Sequence, residues 1–284
     1  MSTKPSRADG YPPEAVRYAT STLLYIATKL GDLQDDMVVV GGLVPSLIIR
    51  PDELPAGRSH HIGTMDVDLA LAVAVLDEKK YHEICERLRS AGFEPDVNDA
   101  GNPANQRWRI EVDGRRILVD FLIPPTLPKD KGGRLRNLEP DFAAIITPGL
   151  ELAFADKQRV RVAAKTIRGE EAIREVNVCD AGAFVVLKAL AFAGRGENKD
   201  AYDLYYVLQN YGGGIEDVVK HLQPHLDNHH VQTALQILQR DFTTVDSVGA
   251  KRVAEFLGSP QDEDIRADAS AAVRSLLRLC GKVV

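Results

Sequence analysis

The sequence predicts an α+β fold: a mixed-sheet lobe followed by an all-helical C-terminal lobe. Three observations carry this expectation. Short apolar runs of strand character, such as Met37-Val-Val-Val40 and Ile117-Leu-Val119, fall in the first 178 residues. Asp113-Gly114 between two such runs is a strong hairpin signal. From Asp180 onward the apolar spacing is helical to the end. The expected domains are 13–178 and 179–284.

Taken in order, residues 1–12 read as a loose tail. Glu14 to Leu30 has helical spacing through Val16, Leu23, Leu24, Ile26, Ala27 and Leu30, and Gly31 is its stop signal. Met37–Val40 reads as a buried strand ending on Gly41-Gly42, and Leu43 to Ile49 as a helix with Pro45 tolerated in its first turn. Pro51 to Gly63 is a loop and Asp66 to Val73 a strand. Asp77 to Ser90 is a helix with Tyr81, Ile84, Cys85 and Leu88 inward. Trp108–Val112 and Arg116–Ile123 form the hairpin. Pro124 to Pro140 is a Pro/Gly/basic loop, and Arg159 to Val178 holds two strands around Arg168-Gly169. Asp180–Ala193 and Asn198–Gln209 form a helical hairpin, followed by helices near 215–222, 230–241, 248–257 and 263–280.

Composition narrows the function classes. A chain of 284 residues with 44% hydrophobic and 27% charged residues has an ordinary globular balance. The three cysteines are scattered, with no CxxC or zinc spacing, which points to reduced thiols in a cytoplasm. Met1–Gly10 has no apolar core of a signal peptide. The most apolar stretch, around Ala181–Gly194, is interrupted by Lys188 and too short to span a bilayer. A net charge of −6 argues against a uniformly basic coat for nucleic acid but leaves room for a local patch.

The chemistry begins at Asp66-Val67-Asp68. On a strand, residues i and i+2 share a face, so both carboxylates project together. Paired like charges are costly unless a cation joins them, and hard oxygen ligands suit Mg2+ or Mn2+. Asp120 interrupts a second apolar strand. If that strand pairs beside the first, three carboxylates converge, a set able to hold two metals about 4 Å apart for in-line phosphoryl transfer. Gly41-Gly42, between strand and helix, would let a phosphate approach the backbone. The Thr64 hydroxyl could meet the phosphate or fix the loop. Each piece alone has a structural explanation; their order along the chain is what favours a site.

Val40-Gly-Gly-Leu-Val44, Thr64-Met-Asp-Val-Asp-Leu69 and Leu118-Val-Asp-Phe121 resemble the nucleotidyltransferase fold of the DNA polymerase β superfamily. Leu187-Lys188-Ala-Leu190, Arg195 and Lys199-Asp200-Ala-Tyr-Asp203-Leu204 narrow the resemblance to AbiEii-type toxins. Two positions depart from that branch: Ile62 where an Arg is common, and Lys199 where Arg is usual. The resemblance implies an enzyme that transfers a nucleotide from an NTP to RNA, plausibly a tRNA 3′ end, with release of pyrophosphate. It implies Mg2+ (or Mn2+) on Asp66, Asp68 and Asp120, and nucleotide contacts at Gly41, Gly42, Thr64, Lys188 and Asp200. It also implies a cognate antitoxin, often of the AbiEi kind. A small hydroxyl compound or a protein side chain as acceptor, and a non-catalytic nucleotide-binding module, are the alternatives.

The residues also speak for themselves. Lys188 sits in an apolar helix and needs a partner if buried. Counting along antiparallel helices from Gly196 places Asp203 nearly level with Lys188 and Asp200 one turn nearer the loop. Asp203 is therefore the expected partner. A structural ion pair and a functional one both fit. Arg107, Arg109, Arg115, Arg116, Lys129, Lys131, Arg134 and Arg136 form a basic middle segment, read either as ordinary surface charge or as a rim for a polyanion. His221 and His225 read as solvated helix-end residues rather than zinc ligands, and His60-His61 as part of a surface loop.

Overall fold

The computed structural model describes residues 5–54, 59–71, 78–98 and 100–282. They fall into two compact units. One comprises Pro13–Val44 and Gly63–Cys179; the other comprises Thr3–Pro12, Pro45–Ile62 and Asp180–Val284.

The first unit is a mixed sheet with helices. Its elements are α1 (Ala15–Leu30), β1 (Met37–Val40), β2 (Asp66–Leu71), α3 (Glu78–Ser90), β3 (Glu94–Val97), β4 (Pro103–Val112), β5 (Arg115–Ile123), β6 (Leu135–Glu139), β7 (Phe142–Ile146), α4 (Glu151–Ala155), β8 (Lys157–Lys165) and β9 (Glu171–Cys179). A five-residue helix, α2 (Val44–Ile48), follows the Gly-Gly turn; all of it but Val44 belongs to the second unit. The strand order is β3-β4-β5-β2-β1-β9-β8, with β7 paired to β5 and β6 to β7. β2 lies antiparallel to β1 and parallel to β5.

The hairpin β4–β5 turns on Asp113 (φ 51°) and Gly114 (φ 72°). Two successive positive φ values are the geometry of a tight hairpin whose twist matches its strands. Behind the sheet face that carries the aspartates, Val67, Val119 and Trp108 stand in one cross-strand row and are fully buried. Phe142 meets both Phe121 and Trp108 edge-on, with centroids 4.9 and 5.9 Å away. The aspartate-bearing strands are thus anchored by a close-packed apolar layer.

The second unit is helical: α5 (Ala181–Arg195), α6 (Asn198–Asn210), α7 (Ile215–Leu222), α8 (His229–Phe242), α9 (Val248–Phe256) and α10 (Glu263–Leu279). Asp180 caps α5 by accepting from the Ala183 amide at 2.7 Å, and Asn228 and Asp262 cap α8 and α10 in the same way. Gly196, left-handed at φ 64°, ends α5.

Several elements differ from the sequence expectation. β3, β6 and β7 were not expected as strands. β6 falls inside the expected loop 124–140, where its polar Leu-Arg-Asn-Leu-Glu run reads as loop until β7 pairs with it. Of the expected tail, residues 1–4 lie outside the described residues, and residues 5–12 are not loose: in the helical unit Tyr11 is buried against Phe256, and Asn198 donates to the Ser6 carbonyl. Residues 72, 73 and 77, expected at the ends of a strand and a helix, lie outside the described residues. Among the described residues no helix is long and apolar enough to cross a membrane.

Candidate active site

Strand register builds the site. Val40 pairs with Asp68, Asp68 with Asp120, and Asp120 with Arg107, so one row crosses four adjacent strands. Paired residues share a face of the sheet. Asp66 joins from two positions before Asp68. One carboxylate oxygen from each of Asp66, Asp68 and Asp120 lies within 4.8 Å of the others. Asp66 and Asp120 are buried and Asp68 half-buried.

Each aspartate is held differently. The Thr64 hydroxyl donates to Asp66 Oδ1, which gives Thr64 a positioning role on the carboxylate itself. Asp68 is backed by the Gly-Gly turn. Gly41 is left-handed at φ 72°, and a Cβ there would stand 2.7 Å from Asp68 Cγ. A Cβ on Gly42 would stand 3.0 Å from the Thr64 side chain. Gly41 is therefore required where the end of β1 packs under Asp68, and Gly42 lies in close contact with Thr64. Asp120 accepts two hydrogen bonds from Arg107, Nε to Oδ1 and Nη2 to Oδ2, each 2.6 Å. The Asp120 hydrogen bonds, with the charges of Asp120, Asp66 and Asp68, raise the Arg107 pKa above its ordinary value.

Three converging carboxylates offer hard oxygen donors, which is the ligand chemistry of Mg2+ or Mn2+, so the residues fit such an ion.

Gly41→Ala tests the packing directly. The substitution is expected to force a left-handed alanine, at about 1–2 kcal/mol, and to push the Asp68 carboxylate off its position. Mn2+ affinity measured by calorimetry should fall by about tenfold or more, because a displaced ligand costs of that order. An unchanged affinity would show that the turn does not position Asp68.

The helical unit carries a second charged cluster, and it is buried. Lys188 Nζ lies 2.7 Å from Asp203 Oδ2 and 2.9 Å from Asp200 Oδ1. Lys199, one turn before Asp203, pairs with Asp203 Oδ1. Arg195 forks onto Asp200 at 2.7 and 2.8 Å. His61 Nε2 is 2.9 Å from Asp203 Oδ1, and Nδ1 is 3.0 Å from Ser46 Oγ. Burial, then the Lys199 charge, push His61 down to about 4 despite the Asp203 contact. The ring is therefore neutral at pH 7. Asp203 only accepts, so Nε2–H donates to it and Nδ1 accepts from Ser46. Burial likewise lowers Lys199 to about 8, against the pull of Asp203. Lys188 is raised: the charges of Asp200 and Asp203 outweigh its burial. The same pairings hold Asp200 and Asp203 below the usual carboxylate range, although burial opposes them.

His61 is thus not a surface-loop residue. It is buried between Tyr202 and Tyr206, with ring centroids 5.6 and 4.9 Å away. Nothing in its local sequence marks this, because Asp203, Tyr202 and Tyr206 are about 140 residues away. His221 is engaged as well, 3.0 Å from both Asp180 Oδ2 and the Tyr211 hydroxyl.

Arg107 was counted only among the basic residues, yet its placement has a sequence signal. A two-residue turn pairs Val112 with Arg115; stepping five residues outward along both strands reaches Arg107 and Asp120.

Comparison with known proteins gives one consistent result. The family model described as nucleotidyl transferase AbiEii toxin, type IV toxin–antitoxin system, matches residues 63–279. No curated relative matches the chain. The matched span holds all three aspartates and the helices that carry Lys188, Asp200 and Asp203, and begins after Gly41-Gly42. It covers well over half of the chain, and the protein belongs to the AbiEii family of nucleotidyl transferase toxins of type IV toxin–antitoxin systems.

Proposed function

We propose that this toxin transfers a nucleotidyl group from an NTP to a hydroxyl of RNA, with the 3′ end of a tRNA as the preferred acceptor, using Mg2+ or Mn2+ at Asp66, Asp68 and Asp120. The observation that carries the reading is the convergence of three carboxylates within 4.8 Å on one sheet face. Bound there, the metal would lower the pKa of the attacking hydroxyl and neutralise phosphate charge.

The protein's own residues supply placement. Thr64 and Gly41 set the orientations of Asp66 and Asp68, and Gly41-Gly42 lie beside them as the phosphate-facing turn. The acceptor oxygen forms a bond to the α-phosphorus as the bond to the β-phosphate oxygen breaks and pyrophosphate leaves. Asp120 positions the acceptor and takes its proton. The 13–178 segment is the catalytic domain in this reading, and 179–284 its helical companion. For Lys188 the geometry favours an emphasis other than the triphosphate contact that the resemblance implies. Its buried ammonium is already matched by Asp200 and Asp203, so we read these three residues first as the charge core of the helical unit.

RNA as acceptor is supported by the segment that follows β5. Residues 125–129 and 131–135 are all exposed and carry Lys129, Lys131 and Arg134. The one acid of the segment, the half-buried Asp130 between these runs, is taken up by Arg136 and by the amides of Thr126 and Leu127. This leaves a basic projection on a chain of net charge −6. The cognate antitoxin is expected as a separate partner.

The test is incubation of the protein with labelled NTPs, Mg2+ and total tRNA. Label is expected on RNA, and none with Asp66→Ala. No transfer by the wild type, or equal transfer by the variant, overturns the reading. Transfer to a small hydroxyl compound or a protein side chain, with none to RNA, replaces the acceptor.

A further inference from the structure

We infer that Arg107 is a latch on the third carboxylate: it holds Asp120 while the metal is absent and competes with the divalent cation for it. This rests on the reading of Asp66, Asp68 and Asp120 as a metal site.

The three carboxylates are held in different ways. Asp66 accepts from the Thr64 hydroxyl and Asp68 packs against Gly41. Asp120 differs. A guanidinium fork covers both of its oxygens at 2.6 Å, and the Asp120 side chain is only 7% exposed, so water does not dilute the contact. Charge-assisted bidentate pairs of this kind are among the stronger polar contacts in proteins. A cation that takes Asp120 must displace the fork or sit beside a fixed positive charge. The Arg107 side chain is 30% exposed and has solvent to move into.

The register makes the arrangement hard to avoid. Arg107 is directly opposite Asp120, and Asp68 is directly opposite Asp120 on the other side. Arg107 therefore offsets one of the three negative charges in the metal-free protein, where unrelieved repulsion among the carboxylates would be destabilising. The same contact lowers the affinity for metal. The cluster is thereby set to load fully only when a ligand brings further negative charge, as a nucleoside triphosphate does.

Arg107→Gln separates this from a merely structural role, because it predicts a gain. Mn2+ titration of the full chain, followed by calorimetry and by the electron paramagnetic resonance of free Mn2+, should show at least about tenfold tighter binding than in the wild type, as expected from removing a full charge a few ångströms from the ion. The metal-free variant should melt at a lower temperature, and Mn2+ should raise its melting point more than that of the wild type. Arg107→Lys keeps the charge without the fork and should fall between the two, which preserves the test if the Gln variant folds only with metal. In an Asp120→Asn background the Arg107→Gln gain should shrink to below about threefold, since the latched carboxylate is gone. Equal or weaker Mn2+ binding by Arg107→Gln overturns the latch and leaves the metal site standing. No Mn2+ binding by the wild type or the variant overturns the metal reading, and the latch with it.

Discussion

Asp68→Asn is expected to lower nucleotidyl transfer by at least about a thousandfold, the scale on which loss of a group that organises transition-state charge acts. Asp68 is central in the row: it pairs with Asp120 on one side and backs onto the Gly41 turn on the other. The amide keeps the shape of the side chain and removes its charge. Stability should move the opposite way. Deleting one of three converging negative charges relieves repulsion, so the metal-free melting temperature should stay level or rise by the equivalent of about 0.5–1 kcal/mol. The stabilisation conferred by Mg2+ should disappear. Transfer rates with a saturating acceptor and melting curves with and without metal check all three. A variant that loses activity and metal-free stability together has been unfolded rather than disarmed. One that keeps activity removes Asp68 from the metal site.

Asp203→Ala is expected to be among the most damaging single changes in the helical unit. Asp203 is fully buried and faces Lys188, Lys199 and His61. Removing it leaves Lys188 with Asp200 but strands Lys199 among Tyr11, Tyr202 and Phe256. Breaking a buried pair from one side costs about 3–5 kcal/mol, a large share of the about 5–15 kcal/mol that holds most domains together. Trp108 is the chain's one tryptophan and lies in the sheet unit, so its fluorescence reports the wrong place. Urea unfolding followed by helical circular dichroism is the suitable readout. A loss below about 1 kcal/mol would put Asp203 in the class of ordinary surface ion pairs and remove the network from the account.

The acid limb of stability gives a second readout of the same network. His61 has a folded-state pKa of about 4 against 6.5 for the free side chain, so the unfolded chain takes up the proton first. Stability therefore falls as pH drops from 6.5 towards 4. Asp203, held well below 3.8, contributes stability above that value that is lost further into acid. His61→Asn should flatten the limb between pH 6.5 and 4. A slope unchanged by this substitution would show that His61 does not set it.

Much of the candidate site was legible before the structure because it rests on local periodicity. Asp66 and Asp68 share a face on any strand. Gly41-Gly42 marks a turn that no bulkier residue would follow as easily, and Asp113-Gly114 fixes one hairpin register outright. The α+β division and the helical second half follow from the same kind of pattern. The strands that were missed, β3, β6 and β7, are short, and two of them are polar or contain proline, so they gain strand character only from their neighbours.

What the sequence determined by itself is therefore the chemistry of the site and the order of its parts: two carboxylates on one strand, a third on another, a glycine turn before them. What only the tertiary structure decided is which groups meet. The parallel pairing of β2 with β5 put Asp120 beside Asp68, Arg107 closed on Asp120 from the far side, and His61 was drawn into the charge core of the helical unit. The reason is physical. Face and turn preferences act over a few residues and can be read locally. Strand partners and buried ion pairs depend on which distant surfaces exclude water together.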